Sequence, residues 1–276
     1  MIKNWLLTGD CHRDFSRFKY YDEAVKNDEE TAVIILGDAG INYCLDDHDT
    51  QIKNYLTENY KFYIYCVRGN HEARPQDVPG MELIYDENVK GEVYMEPQWP
   101  KIRYFKDWGF YTLGYNEVAV IGGAYSVDKQ WRLLQGAHWF DNEQLSSEEM
   151  VQCMKDLRGK HVVFVLTHTC PVEWEPNDLF LSAVDQSSVD KTMERFLSLL
   201  AKELNWKIWC FGHYHADRIE RPYVEQYYKD TENLELLSLR WHDYDETKEL
   251  EWWLVKSPNF YMGNEILESE EKHLNE

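Results

Sequence analysis

No apolar run in this chain approaches the roughly 20 residues needed to cross a bilayer, so a membrane-spanning helix is not expected. No Lys/Arg-rich run is present either, and 50 acidic residues against 29 basic ones leave a net charge of −21. Such a surface repels long polyanions, which argues against duplex DNA or long RNA as a substrate and says little about a small phosphoester. The six cysteines (Cys11, Cys44, Cys66, Cys153, Cys170, Cys210) form no Cys-x-x-Cys pair, so neither a disulfide framework nor a zinc knot is expected. Internal repeats, low-complexity segments and linkers are also missing. Met1-Ile2-Lys3-Asn4-Trp5 runs directly into a strand-like segment, with no room for a signal peptide, and a cytoplasmic protein is the expectation.

What is present is enough for a large core: 43% hydrophobic and 15% aromatic residues over 276 positions. One domain over residues 1–276 is expected, with the last dozen residues a frayed helix or tail. The first seventy residues read as strands alternating with short helices at Phe15–Asn27 and Asp49–Tyr60, the second behind Asp47 or Asp49 as cap. That alternation indicates βαβ units. From Tyr85 to Ala124 short alternating runs predict an antiparallel meander. Helices are predicted at Ser147–Leu157, with Ser146 and Glu149 spaced as a capping box, and at Val189–Leu204. Leu234–Leu239 and Leu250–Val255 read as strands.

Five apolar stretches run straight into metal-ligand residue types. Trp5–Leu7 leads to Gly9-Asp10-Cys11-His12, Val33–Leu36 to Gly37-Asp38, and Tyr63–Val67 to Arg68-Gly69-Asn70-His71-Glu72. Val162–Leu166 leads to Thr167-His168, and Ile208–Phe211 to Gly212-His213-Tyr214-His215. A sixth stretch, Val118–Ile121, ends in Gly122-Gly123-Ala124 and carries no ligand. This is the layout of a site at the carboxyl ends of sheet strands, and it points to a dinuclear hydrolase. Carboxylate, amide oxygen and imidazole suit borderline-hard divalent ions, with Mn²⁺ the first choice and Fe or Zn²⁺ the alternatives.

In their order and placement these five motifs resemble those of the calcineurin-like metallophosphoesterases. The resemblance implies an α/β fold, a four-layer α/β/β/α sandwich with mixed sheets, holding two metals at one edge. Asp10, His12 and His215 would then hold the first ion, Asn70, His168 and His213 the second, and Asp38 would bridge them. It also implies in-line attack on a phosphomonoester or phosphodiester by a hydroxide shared between two ions about 3.5–4 Å apart. His71 would be the non-ligand histidine that protonates the leaving oxygen. Arg13, Arg74 and Arg132 are candidate substrate contacts, since arginine forks match phosphate oxygens. Tyr43, Trp131, Trp139 and Tyr214 are possible base-stacking platforms.

The expected partner is a small phosphoester or nucleotide. A phosphoprotein is the alternative substrate, and a non-catalytic scaffold of the same fold is the alternative class. Two departures from the family pattern matter. Arg13 stands where glycine is usual after Asp-x-His. Ile41 stands where the protein-phosphatase branch has a second aspartate, so the partner that orients His71 has to be sought elsewhere, with Asn42, Asp46 and Asp47 as candidates. Glu72 reads as a helix-start acid.

Overall fold

Strands of unbroken apolar character are those buried on both faces, and here they build two stacked mixed sheets. The computed structural model describes residues 1–19, 28–180, 182 and 184–242. The chain divides into two compact units, Met1–Ser238 and Leu239–Glu276, and the two sheets and the site belong to the first. In chain order the elements are β1 (Asn4–Thr8), β2 (Thr31–Ile35), α1 (Asp47–Asn59), β3 (Tyr63–Cys66), β4 (Glu82–Asp86), β5 (Gly91–Met95) and β6 (Ile102–Phe105). There follow β7 (Trp108–Leu113), β8 (Asn116–Ile121), α2 (Lys129–Gln135), α3 (Ser147–Leu157), β9 (Phe164–Thr167) and α4 (Thr192–Glu203). Next come β10 (Ile208–Phe211), β11 (Arg218–Arg221), β12 (Val224–Gln226), β13 (Thr231–Asn233) and α5 (Leu234–His242).

The first sheet has the order β13-β1-β2-β3-β6-β5-β4 and the second β11-β12-β10-β9-β8-β7. β1, β2, β3 and β6 are parallel neighbours, as are β8, β9, β10 and β12, while the outer strands pair antiparallel. Every residue of β2, β9 and β10 is buried, as expected of parallel strands covered on both sides. Alternate side chains of the first sheet (Leu6, Val33, Ile35, Ile64) join Leu56 of α1 in one core. Ala119, Ile121, Val165 and Trp209 of the second sheet join Met150 and Cys153 of α3 and Phe196 and Leu200 of α4 in another. With the opposite strand faces buried as well, the layers run helix, sheet, sheet, helix.

The capping box of α3 forms as the sequence indicates: Glu149 N donates to Ser146 Oγ at 3.2 Å, and Ser146 N donates to Glu149 Oε2 at 2.7 Å. The cap of α1 is Asp46, which accepts from His48 N at 2.9 Å, in place of Asp47 or Asp49. The predicted meander is divided. β4, β5 and β6 belong to the first sheet and the β7–β8 hairpin to the second, the chain crossing between sheets at Lys106-Asp107. Leu234–Leu239 lies in α5, not in a strand. Of the Phe15–Asn27 helix, Ser16–Lys19 forms a 3-10 turn and residues 20–27 lie outside the described residues, as do Leu250–Val255 and the terminal dozen.

Candidate metal centre

The carboxyl ends of β1, β2, β3, β9 and β10 lie along one edge of the two sheets, and the sharp turns there aim side chains at a common point. Eight non-glycine residues among those described have positive φ, and five of them are His12, Arg13, Asp38, His213 and His215. Left-handed backbone at such residues is disfavoured by about 1–3 kcal/mol each and concentrates at functional sites. Close approach matters as much as turning. A Cβ on Gly69 would stand 1.9 Å from Asp38 Oδ1, and one on Gly37 would stand 2.0 Å from His168 Nδ1. Both positions need glycine for the side chains to converge.

Two groups of donor atoms result. In the first, His12 Nε2 and His215 Nε2 are 2.9 Å apart, and Asp10 Oδ2 is 3.6 and 3.2 Å from them. In the second, His168 Nε2 faces Asn70 Oδ1 at 2.9 Å and Asp38 Oδ2 at 3.5 Å. Asp38 Oδ2 also lies 3.8 Å from His12 Nε2, so this carboxylate stands between the groups. His213 packs edge-on against His168, their ring centroids 4.9 Å apart, and its N–H donates to Asp10 Oδ1 at 2.9 Å.

The orientation of these groups fits a cation. His168 Nδ1 donates to the Leu36 carbonyl at 2.8 Å, which leaves Nε2 with its lone pair. Asn70 Nδ2 donates to Ser126 Oγ at 2.9 Å, which turns Oδ1 toward the same point. His168 Nε2, Asn70 Oδ1 and Asp38 Oδ2 therefore converge on one point, an arrangement that a positive charge satisfies, a divalent ion or, without one, a proton on Nε2. Asp10 Oδ2 is buried with no hydrogen-bond partner among the described residues, which the first group explains in the same way.

Titration reflects the same concentration of charge. Burial opposes charge on Asp10, but His168, His12 and His215 outweigh it and lower its pKa. Burial likewise disfavours the Asp38 anion, yet His168, His71 and His12 hold its pKa well below the usual carboxylate range. Burial works against a charged His168 too, and Asp38 and Asp10 still push it up to about 9, so in the absence of a cation this ring takes a proton. His213 is pushed down to about 3 by burial and by His168. Glu72 starts no helix: it folds back to accept from Gly69 N at 3.0 Å, and burial raises it to about 7.

His71 adjoins this cluster, and its ring forms a further group of close donor atoms with His12 and Asp38. Its N–H donates to Asp38 Oδ1 at 2.8 Å, and its ring Nε2 is 4.0 Å from Asp38 Oδ2. Arg132 of α2 contacts the ring directly and is itself held by Asp128 Oδ2 at 2.8 Å and the His138 carbonyl at 3.0 Å. Arg132 is thus the ring's partner, where Asn42, Asp46 and Asp47 had been the candidates. The other two arginines are engaged elsewhere. Arg13 donates to the Gly40 carbonyl at 3.1 Å and pairs with Asp49. Arg74 is buried: it donates to the Asn142 and Gln144 carbonyls and pairs with Asp107 at 3.1 Å and Glu149 at 2.5 Å. Nε, Nη1 and Nη2 of Arg74 are thus all committed within the fold.

Two supports had no signal in the sequence. Arg17 donates to the Asp10 carbonyl at 2.7 Å and to Thr8 Oγ1 at 3.0 Å, fixing the β1 turn. Glu143 accepts from Ser126 Oγ at 2.5 Å and from Trp139 Nε1 at 2.9 Å, which orients the hydroxyl that holds Asn70.

A family model, calcineurin-like phosphoesterase, matches residues 4–217. The chain belongs to the calcineurin-like phosphoesterase family. A search of curated proteins returns no match. Membership in the calcineurin-like family agrees with the two mixed sheets and with a metal-dependent phosphoester chemistry at the Asp/His cluster. Beside that cluster, this calcineurin-like protein has an open cavity of about 550 Å³, reached by Asp38, Asn70, His71, His213 and His215. No helix among the described residues is long and apolar enough to cross a membrane.

Proposed function

We propose that one calcineurin-like domain hydrolyses a small phosphomonoester or phosphodiester, a nucleotide included, with two divalent ions bound. Asp10, His12 and His215 would hold one ion, Asn70, His168 and His213 the other, and Asp38 both. Mn²⁺ is the first choice for this oxygen-and-imidazole set. Bound there, such ions supply Lewis-acid polarisation of the phosphoryl oxygens and a lowered pKa for water. The observation that carries the reading is the convergence of His168 Nε2, Asn70 Oδ1 and Asp38 Oδ2 on one point beside the Asp10, His12 and His215 group.

The chain's own groups supply the rest. Asp38 fixes His71 through the main-chain N–H. Arg132, a donor only, contacts the ring, and donation to Nδ1 leaves Nε2–H as a hydrogen-bond donor to the leaving oxygen. Arg132, with Nε, Nη1 and Nη2 all engaged within the protein, puts positive charge beside His71, while Arg13 steadies the His12 turn. Six cysteines left as thiols suit a reducing, cytoplasmic setting. A phosphoprotein fits less well, because the cavity walls include Asp128, Glu175 and Glu194, and acidic side chains there repel a phosphorylated, acidic peptide.

The test is hydrolysis of bis-p-nitrophenyl phosphate and p-nitrophenyl phosphate by metal-stripped protein with and without added Mn²⁺. Metal-dependent turnover is expected, and the faster ester identifies the preference. Stoichiometric metal uptake without turnover of either ester would count against both as models of the substrate, and failure to bind metal would favour a scaffold.

A further inference from the structure

Beyond the ligand cluster the cavity continues into a chamber with little available positive charge. Val127, Leu179, Phe180, Val184 and Val189 give it apolar walls. Lys191 also lines it, but Nζ lies 2.6 Å from Glu175 Oε1 and 4.6 Å from the Phe180 ring centroid, so its charge is matched within the wall. Glu194, in the first turn of α4, lines the same space and is 3% exposed. Its Oε1 accepts from Thr169 Oγ1 at 2.8 Å. Its Oε2 is buried with no partner among the described residues. A buried acceptor left unpaired is costly, and the cost is relieved by a ligand that brings the missing donor.

We propose that this chamber receives the organic part of the ester, and that this part is an uncharged, ring-sized, largely apolar group presenting one N–H or O–H donor to Glu194 Oε2, as an aminated nucleobase does. The inference rests on the phosphoesterase reading and adds the chemistry of the group beyond phosphorus. A second phosphate or a carboxylate placed in the chamber would face Glu194, with Lys191 and Glu175 already neutralising each other. Largely apolar walls are what a ring-sized ligand needs, and the whole cavity, ligand cluster included, is about 550 Å³.

The experiment is competitive inhibition of bis-p-nitrophenyl phosphate hydrolysis by the full chain with Mn²⁺, at a pH above 7, where the Glu194 carboxylate is ionised and Oε2 is an acceptor. Adenosine is compared with purine riboside, which lacks only the amino donor, and with ribose, which lacks the ring. Cytidine and its 4-deamino analogue repeat the comparison with a smaller ring. At least one aminated nucleoside should inhibit about tenfold more tightly than its deaminated partner, and ribose should be weakest. In Glu194→Gln, which keeps the shape but turns a donor toward the ligand, the ratio within that pair should fall to about one. Equality within both pairs, or a ratio that survives the substitution, would overturn the proposal. A positional or folding effect of the variant would weaken both members of a pair and leave their ratio unchanged. If bis-p-nitrophenyl phosphate is not hydrolysed, p-nitrophenyl phosphate takes its place as reporter, and no turnover of either with metal bound counts against both as models of the substrate. The same pairs, titrated by ligand-observed NMR into wild type and Glu194→Gln, then decide the chamber by itself.

Discussion

Arg132 and His71 touch: Nη2 of the guanidinium lies against the imidazole, 3.0 Å from Nε2 and closer still to Nδ1. A guanidinium has no acceptor, so the ring nitrogen it bonds is the unprotonated one. Donation to Nδ1 therefore places the His71 proton on Nε2. In the protein-phosphatase branch that steadying role falls to an aspartate, and here Ile41 occupies the position, buried. A guanidinium acts in the opposite sense to that carboxylate and favours the neutral ring: burial lowers the pKa of His71, with Arg132 and His12 assisting against Asp38.

Arg132→Met should therefore damage turnover more than metal binding. Loss of one hydrogen-bond donor to developing negative charge costs about 10²–10³ in rate, and loss of its orientation should approach the low end of that range. The loss should be larger for phenyl than for p-nitrophenyl esters, because a good leaving group needs no proton. His71→Gln should show the same leaving-group dependence. Steady-state kinetics with both esters, beside metal content by mass spectrometry, check this, and an equal loss for the two esters would rule out the assignment.

Asp38→Asn should behave differently, since Asp38 Oδ2 stands 3.5 Å from His168 and 3.8 Å from His12 while Oδ1 accepts from His71 N. One substitution touches both donor groups and the acid. Metal content and turnover should fall together, by about two orders of magnitude or more in rate. Retention of two ions per chain would show that Asp38 does not bridge.

The sequence displayed the site's ligand types because each follows a strand directly, so spacing along the chain stands in for position at the sheet edge. His168 and Asn70 are 98 positions apart and meet at 2.9 Å for that reason. Arg17, Arg74 and Arg132 illustrate the limit. A long side chain reaches partners that chain spacing does not encode, so Arg74 beside the Asn70 motif turns to Asp107 and Glu149, while Arg132, on a different element, reaches His71. Leu234–Leu239 shows a second limit. A short apolar run carries no decisive period, and its leucines suit helix as well as strand. Asp46 in place of Asp47 or Asp49 as the α1 cap is a shift of register within an acid-rich turn, where all three residues are competent.

Arg74→Met tests the reassignment of that residue from substrate to fold. Asp107 and Glu149 lose a buried partner, and breaking a buried pair costs about 3–5 kcal/mol. Arg68, which pairs with Asp107 at 2.5 Å, and Gln76, which donates to it at 2.8 Å, should keep the loss near the lower figure. Denaturant melts should show the destabilisation, with KM for either ester unchanged in the folded fraction. A raised KM at unaltered stability would return Arg74 to the substrate side.

Glu194 gives a pH dependence that is separable from the metal site. Burial raises its pKa from 4.5 to about 7, against a lowering by its own backbone and by Thr169. The folded state therefore holds a proton that the unfolded chain has released across that window, and the slope of unfolding free energy with pH is negative. Stability from this group is fully present below about 4.5 and is lost as pH rises through about 7, a loss of about 3 kcal/mol. Glu72, raised to about 7 by burial, contributes a slope of the same sign, so the wild-type slope alone does not isolate Glu194. The difference between wild type and Glu194→Gln does. In chelator, urea melts of the two proteins at intervals between pH 5 and 8 should diverge by that amount, with the wild type losing ground as pH increases. Parallel curves would mean that Glu194 is ionised throughout the range, and its Oε2 would then be paired or hydrated in solution.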